Sequence, residues 1–441
     1  MEAGYPRAAT PKNEKVQYPP SEKLIILNGM SLPRGTDPFA LVETYGSPLY
    51  VYDAEEIRAR YRRLAAAFAA TGLVTRAHYA VKANMNAEIL KLLRAEGAGA
   101  DCASPGELRA AARAGFAPAD ISYTGNFESS DDLAAARDGA LYLNLDSLEA
   151  FERLRRLGVP ETLGFRVNPD EGRGAFAQIN TGGELSKFGL SLDEVEAAYS
   201  RARAAGVKRF GLHLMPGSCI LEAAHFGRAV AQLLERVGPR LRALGLELAY
   251  LDMGGGFGVP YRDDENELDV EAAAAGVARA MREACARHAL GAPRLLCEPG
   301  RYLVATSGSL IARVVATKRR AERRFVGLDA GMTSLMRPAL YGARHRFDVF
   351  ARDAEGRAVA ITRRAPSPAD LCGPVCESSD FFEREAALPE VAEGDLVVFR
   401  EAGAYGFVMS SSYNGRPRPP EVLLDAGRTR LIRERQSLED L

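Results

Sequence analysis

The sequence predicts an α/β protein: a (β/α)8 TIM-type barrel followed by a C-terminal, mainly antiparallel β-barrel domain. Three observations carry that expectation. Between residues 50 and 305 short apolar runs alternate with longer segments of helical period, which favours a parallel α/β architecture over a sandwich. Most of the runs carry a charged residue or a glycine at or within two residues of their end. Beyond residue 306 the pattern changes to apolar–polar alternation, as in Leu310-Ile-Ala-Arg-Val-Val-Ala and Asp395-Leu-Val-Val-Phe-Arg, with turns such as Glu355-Gly356.

Taken in order, residues 1–21 carry Pro and Lys without an apolar signal core and read as a mobile tail. Residues 22–48 read as a strand segment joining the β domain, 49–305 as the barrel and 306–441 as the C-terminal β domain. The barrel runs are 76–83, 98–103, 121–125, 141–145, 162–167, 209–214, 249–253 and 294–298. Segments such as 86–96, 105–114, 191–205 and 222–243 place Ala, Leu, Arg and Glu in amphipathic order between them. Barrel chemistry sits at the carboxyl ends of the strands, so the run-ending residues form a set. They are Lys82, Asp101, Asn126, Asp146, Arg166, His213 with Met215, Gly254 to Gly256, and Glu298 with Arg301.

A chain of 441 residues suggests two domains, and 57 basic against 58 acidic side chains argue against nucleic acid or a membrane surface as the main partner. The basic run Lys318, Arg319, Arg320, Arg323 and Arg324 reads as a solvated hairpin end. Cys102, Cys219, Cys285, Cys297, Cys372 and Cys376 show no paired Cys-x-x-Cys spacing, which fits reduced thiols and a cytoplasmic protein. No apolar stretch approaches the length of a membrane span.

Lys82 ends the apolar run of His78-Tyr-Ala-Val-Lys-Ala-Asn, where an amine must be neutralised, paired or used covalently; it is a strand-end ion pair or a Schiff-base amine. The run Asp252-Met-Gly-Gly-Gly-Phe-Gly offers unobstructed backbone N–H groups, for a phosphate or simply for a tight turn, and its spacing is not that of a dinucleotide fingerprint. Ser218 could add a hydroxyl to the same phosphate. Glu298, in Cys297-Glu-Pro-Gly-Arg301, is either a loop ion pair or an acceptor for a protonated heterocyclic nitrogen. Lysine, phosphate cradle and carboxylate together describe the three anchors of pyridoxal 5'-phosphate (PLP), and the carboxylate would keep the ring protonated as a strong electron sink.

These residues also carry a family resemblance. Tyr79-Ala-Val-Lys82-Ala-Asn, Asp101-Cys-Ala-Ser, Lys187-Phe-Gly, Gly254-Gly-Gly, Glu298-Pro-Gly-Arg301, Gly373-Pro-Val-Cys376-Glu377-Ser and Ala402-Gly-Ala-Tyr405-Gly resemble the motifs of barrel-type PLP decarboxylases of the ornithine and diaminopimelate group, from about residue 25 to about residue 425. Arg337-Pro-Ala-Leu-Tyr341-Gly-Ala-Arg-His345 and Ser411-Ser-Tyr-Asn-Gly-Arg-Pro-Arg-Pro-Pro-Glu421 are more similar to the diaminopimelate branch. The resemblance implies that Lys82 links the cofactor and Glu298 holds its pyridine nitrogen. It implies that Gly254, Gly255, Gly256, Ser218, the segment with Gly300 and Arg301, and Tyr405 surround the phosphate, with Asp101, Arg166, His213 and Met215 also at the cofactor. Arg301, Arg337, Tyr341, Glu377 and Tyr405 would hold the substrate, and Cys376 would reach in from a second subunit as proton donor, making a homodimer part of the site. Arginines suit a diacid because they pair bidentately with carboxylates, and Arg337 and Tyr341 share a face if their segment makes a helical turn.

The implied reaction is decarboxylation of meso-diaminopimelate to L-lysine, with no metal. Two departures keep the substrate open. Where the family usually has a histidine stacked on the ring this chain has Met215, which can still pack through sulfur. His213 shares its face at another depth and is either a substitute or a packed strand histidine. The stretch 174–182 has Phe176 and Gln178 where relatives have His and Tyr. Alternatives are a related decarboxylase acting on another amino acid, or on a conjugated one in siderophore or antibiotic synthesis, and a catalytically silent binding homologue. Glu298 and Cys376 argue against a racemase.

Overall fold

A computed structural model describes Leu32 and residues 36–168, 173–174, 186–362 and 364–441; of 173–174 only the backbone is described. The tail 1–21 and the stretch 175–182, with Phe176 and Gln178, lie outside the described residues. All eight expected runs form strands, and these close into one parallel barrel in chain order: Thr75–Ala80, Gly99–Cys102, Ile121–Thr124, Tyr142–Leu145, Thr162–Arg166, Arg209–His213, Leu248–Asp252 and Arg294–Cys297. The last pairs with the first through Leu295 and Thr75. Helices alternate with them, and the sequence starts several of these locally. Ser104 caps Pro105–Arg113 by accepting from the Glu107 N–H (3.3 Å), while Glu107 accepts from the Ala103 N–H (2.7 Å). Asp53 caps Ala54–Ala69 in the same manner, and Ser129 and Asp132 cap Ser130–Gly139 reciprocally.

The barrel interior is packed and partly polar. Tyr250 Oη donates to Asn144 Oδ1 (2.7 Å), and Asn144 Nδ2 donates to Thr124 Oγ1 (3.1 Å), so three strands are tied across the centre. Gly211 makes room for that tyrosine. A Cβ there would stand 1.9 Å from Tyr250 Cζ, a distance no rearrangement of one side chain relieves.

The second domain is a ten-stranded sheet in which antiparallel pairs dominate. Its centre is the long strand Gly308–Arg320, paired with Leu49–Asp53, Leu396–Phe399 and Arg323–Leu328. Leu49–Asp53, expected at the start of the barrel, belongs to this sheet and lies parallel to Glu421–Asp425 on its other side. The segment 22–48 is corrected as well: where described, it is the helix Pro38–Tyr45, because Asp37 accepts from the Phe39 N–H (2.8 Å) and Pro38 sits at the first turn. It still joins the β domain, with Phe39, Leu41 and Val42 packed against Leu49, Val51 and Ile311. In the basic run Lys318, Arg319, Arg320 and Arg323 are exposed as expected. Arg324 is buried and donates to the carbonyls of Pro389, Leu388 and Ser367.

The two domains meet around Glu421, which has no solvent exposure. It accepts from Tyr52 Oη (2.7 Å), Asn86 Nδ2 (2.9 Å) and the Arg433 guanidinium. Asn86 also caps the helix Ala87–Ala95 that follows Lys82. No helix among the described residues is long and apolar enough to cross a membrane.

Candidate active site

Lys82 lies in the single turn Val81–Ala83 that follows the first barrel strand. Its Nζ donates to Asp101 Oδ2 (2.6 Å), at the end of the next strand, yet the side chain keeps 41% of its surface accessible through the barrel mouth. The turn is gripped from the second domain. The Tyr405 N–H donates to the Ala83 carbonyl (2.8 Å), and Asn84 Nδ2 donates to the Gly403 carbonyl (3.2 Å). Tyr79 Oη closes it from below by donating to the Asn84 carbonyl (3.0 Å).

Behind the lysine, three buried strand ends bring together His213, Asp252 and Glu298, whose polar atoms lie within 4.8 Å of one another. His213 Nε2 is 3.3 Å from Glu298 Oε1. Burial works against an ionised Glu298, but the His213 contact and the Lys82 and Arg166 cations outweigh it and hold the carboxyl down to about 2. Burial, then repulsion from Glu298, pushes Asp252 far above the usual carboxylate range. Burial and mutual repulsion thus favour the charge on Glu298 over Asp252. Burial also keeps the His213 imidazole below its ordinary range and, with Glu298, raises Asp101 above the usual carboxylate range. For Lys82 burial disfavours the ammonium, yet Asp101 and Glu298 more than compensate and raise it above the lysine range. Asp101 Oδ1, Asp252 Oδ2, Glu298 Oε1 and both His213 ring nitrogens are buried with no hydrogen bond of good geometry. Such a concentration of unsatisfied polar atoms destabilises the protein by itself and is relieved by a polar ligand.

One wall of the mouth is backbone. Gly254 has φ +66°, and a Cβ there would come within 2.4 Å of the Leu214 carbonyl; one on Gly255 would come equally close to the Glu298 carbonyl. Met215 supports this turn, its Sδ lying 3.4 Å from the Gly255 nitrogen. Gly300 lies so close to the lysine turn that a Cβ would be 3.0 Å from those of Ala80 and Ala83, which brings Arg301 beside it. Arg301 is buried, donates to Tyr261 Oη (2.7 Å), approaches Ser218 Oγ (3.5 Å) and lies 4.9 Å from the centre of the Tyr405 ring. Arg166, half-buried, stacks on Phe188.

The expected helical turn is present as Arg337–Tyr341. Arg337 is 2% exposed, with its Nη1 2.8 Å from His345 Nε2 and its guanidinium 4.6 Å from the Tyr261 ring centre. Among the described residues no carboxylate pairs with Arg301 or Arg337. Cys376 and Glu377 are not gathered with this group within one chain: both are exposed on the loop after Ser367–Cys372, where Tyr413 Oη donates to Glu377 (2.7 Å).

Three residues escaped sequence reasoning. Asp252 was visible only as the start of a glycine motif, although its place at a strand end was a usable signal. Tyr261 comes from an irregular segment and had none, while His345 stood at the end of the Arg337 motif without a role. The orphaned carboxylate oxygens, the accessible amine and the cradle that side chains would fill fit a phosphorylated, protonated heteroaromatic aldehyde, the chemistry of PLP.

Comparison with known proteins agrees. The family model for the pyridoxal-binding domain of pyridoxal-dependent decarboxylases matches residues 54–305. Diaminopimelate decarboxylase of Methanothermobacter thermautotrophicus is 40% identical over 409 residues, covering 92% of this chain and 93% of that protein. The enzyme of Pseudomonas aeruginosa is 40% identical over 91% of this chain and 93% of its own. The crystal structure of Helicobacter pylori diaminopimelate decarboxylase complexed with L-lysine superposes with a TM-score of 0.81 at 34% identity, covering 91% of this chain and 97% of that one. Lysine/ornithine decarboxylase of Vibrio vulnificus, complexed with putrescine, follows at 0.73 and 25% identity, covering 88% and 97%. With the whole barrel matched and such relatives spanning nine-tenths of the chain, this protein belongs to the pyridoxal-dependent decarboxylases, in the diaminopimelate decarboxylase family, and is a PLP-dependent carboxy-lyase.

Proposed function

We propose that the chain converts meso-diaminopimelate to L-lysine and CO₂, with Lys82 carrying PLP. The observation that carries the choice of substrate is the pair of buried guanidiniums, Arg301 and Arg337, with no carboxylate partner among the described residues. A buried cation in that state costs several kcal/mol unless an anion completes it, and a diacid brings one carboxylate beyond the one it loses. PLP supplies an electron sink for the pair left when the Cα–carboxylate bond breaks. Glu298, the carboxyl of the buried pair held low, would keep the proton on the ring nitrogen. Gly254 to Gly256, Ser218, Gly300 and Tyr405 receive the phosphate, and Asp101 steers the Lys82 amine. Arg166, His213 and Met215 complete the surroundings, Met215 by bracing the glycine turn.

Arg337, Tyr341 and Arg301 orient the substrate, while Cys376 and Glu377 of a second copy complete the site. The exposure of both residues in a single chain supports that homodimer, and six free cysteines support a reducing, cytoplasmic setting. The proton that replaces CO₂ on Cα comes from the Cys376 thiol or the Lys82 ammonium.

Release of CO₂ by PLP-loaded protein, measured on meso-diaminopimelate, L- and D-lysine, L- and D-ornithine and L-arginine, tests the reading. Lysine formed from diaminopimelate alone is expected. Silence on diaminopimelate with the cofactor bound would move the substrate to another or a conjugated amino acid, with Met215 as the marked change. Cys376→Ala should slow turnover about 10²-fold or more with the absorbance of bound PLP intact. Loss of that absorbance would remove Cys376 from the proton-donor role.

A further inference from the structure

Arg337 and Arg301 do not stand independently. The His345 Nδ1 atom is 2.8 Å from the Arg400 carbonyl oxygen, which can only accept, so Nδ1 carries the ring proton and Nε2 offers its lone pair. Arg337 Nη1 donates to that lone pair (2.8 Å). The guanidinium then lies over Tyr261, whose ring also meets His345 edge-on at 5.4 Å between centres and whose hydroxyl accepts from Arg301 Nη1 (2.7 Å). Arg301 extends the sequence to Ser218. All four ring or guanidinium residues are buried: Arg301 7%, Arg337 2%, His345 3% and Tyr261 8% exposed. The far end is anchored in the sheet, since Arg400 itself clamps Asp348 through two nitrogens (2.8 and 2.6 Å).

We propose that Tyr261 and His345 are positioning residues for substrate carboxylate: one imidazole and one phenol, neither touching the substrate, hold two guanidiniums at a fixed angle around a shared aromatic face. This rests on the reading that Arg301 and Arg337 hold the substrate. A guanidinium has five N–H groups in one plane, so tying one of them to a fixed lone pair sets the direction of the others. A neutral histidine achieves this without introducing a counter-charge, and a carboxylate at position 345 would compete with the substrate's own. Burial and the Arg337 charge hold the imidazole down to about 3, so the arrangement persists across the working pH range. The phenol serves both cations, through its face for Arg337 and its oxygen for Arg301, so their spacing is set by a single rigid ring.

The test compares His345→Leu, His345→Gln, Tyr261→Phe and Arg337→Gln as PLP-loaded proteins, by KM and kcat for meso-diaminopimelate and by cofactor absorbance. His345→Leu is expected to raise KM about tenfold or more, with kcat changed far less and the absorbance unaltered. His345→Gln, which restores an acceptor, should recover most of that loss. Tyr261→Phe, which keeps the ring and removes only the hydroxyl, should raise KM by a smaller factor. If Arg337→Gln raises KM while His345→Leu and Tyr261→Phe do not, the positioning role is overturned and the substrate reading stands. If Arg337→Gln also leaves KM unchanged, the substrate reading itself falls. Should His345→Leu not fold, equal KM values for His345→Gln, Tyr261→Phe and the unaltered protein would overturn the positioning role.

Discussion

Lys82→Ala is expected to lower decarboxylation by about 10⁴-fold or more and to abolish the covalent link between protein and cofactor. The setting of the residue suits covalent use. Its amine reaches the open mouth and donates to Asp101, and its backbone turn is fixed from both domains. Borohydride reduction followed by peptide mapping reads the link directly, and turnover by Lys82→Ala within tenfold of the unaltered protein would sink the assignment. A pH dependence follows as well. Only the neutral amine attacks an aldehyde, and Asp101 and Glu298 overcome burial to raise Lys82 above the ordinary lysine range. The neutral fraction therefore grows about tenfold per pH unit throughout the usual working range. Reloading of cofactor-free protein with PLP should accelerate steadily with rising pH, without a plateau near neutrality.

Glu298→Gln is expected to lower kcat by about 10²- to 10³-fold while PLP remains attached to Lys82. The amide keeps the size of the side chain and removes the charge that makes a protonated ring nitrogen favourable. Asp252 is a poor substitute for it, because burial alone already raises Asp252 above the usual carboxylate range. The sign of the pH effect is fixed by the depressed carboxyl. Glu298 is held below the usual carboxylate range by His213, Lys82 and Arg166 against the effect of burial, so its charge is kept through the neutral pH range. An acid limb in kcat above pH 5 must then belong to another group and should survive in Glu298→Gln. Unchanged kcat in this variant, with the absorbance maximum of bound PLP unmoved, would show that the ring nitrogen is held elsewhere.

The barrel was legible because each of its strands is buried on both faces, which leaves a continuous apolar run, and because the functional rim interrupts each run at one end. Lys82, Asp101, His213, Glu298 and Arg301 were picked out as a set by that interruption, and their roles only by the family resemblance. Leu49–Asp53 could not be placed in this way. Leu-Tyr-Val-Tyr looks like a barrel run, and only partners some 260 and 370 residues distant decide that it joins the other sheet. His345 and Tyr261 were silent for a related reason, since their meaning lies in the two arginines they reach across space. His213 was left between a packed residue and a cofactor neighbour because strand alternation gives a face but not a depth; the structure puts its ring 3.3 Å from the Glu298 carboxylate.

The position of Leu49–Asp53 between Gly308–Arg320 and Glu421–Asp425 has a consequence for the order in which the protein is made. At ribosomal speeds of about 5–20 residues per second, this strand waits roughly 20–70 s for its last neighbour to emerge, while the barrel that follows it can already close. Tyr405 and Gly403, which grip the lysine turn, appear only near the end of that interval. Until Tyr405 and Gly403 are made, the lysine turn lacks the two hydrogen bonds that hold it from the second domain.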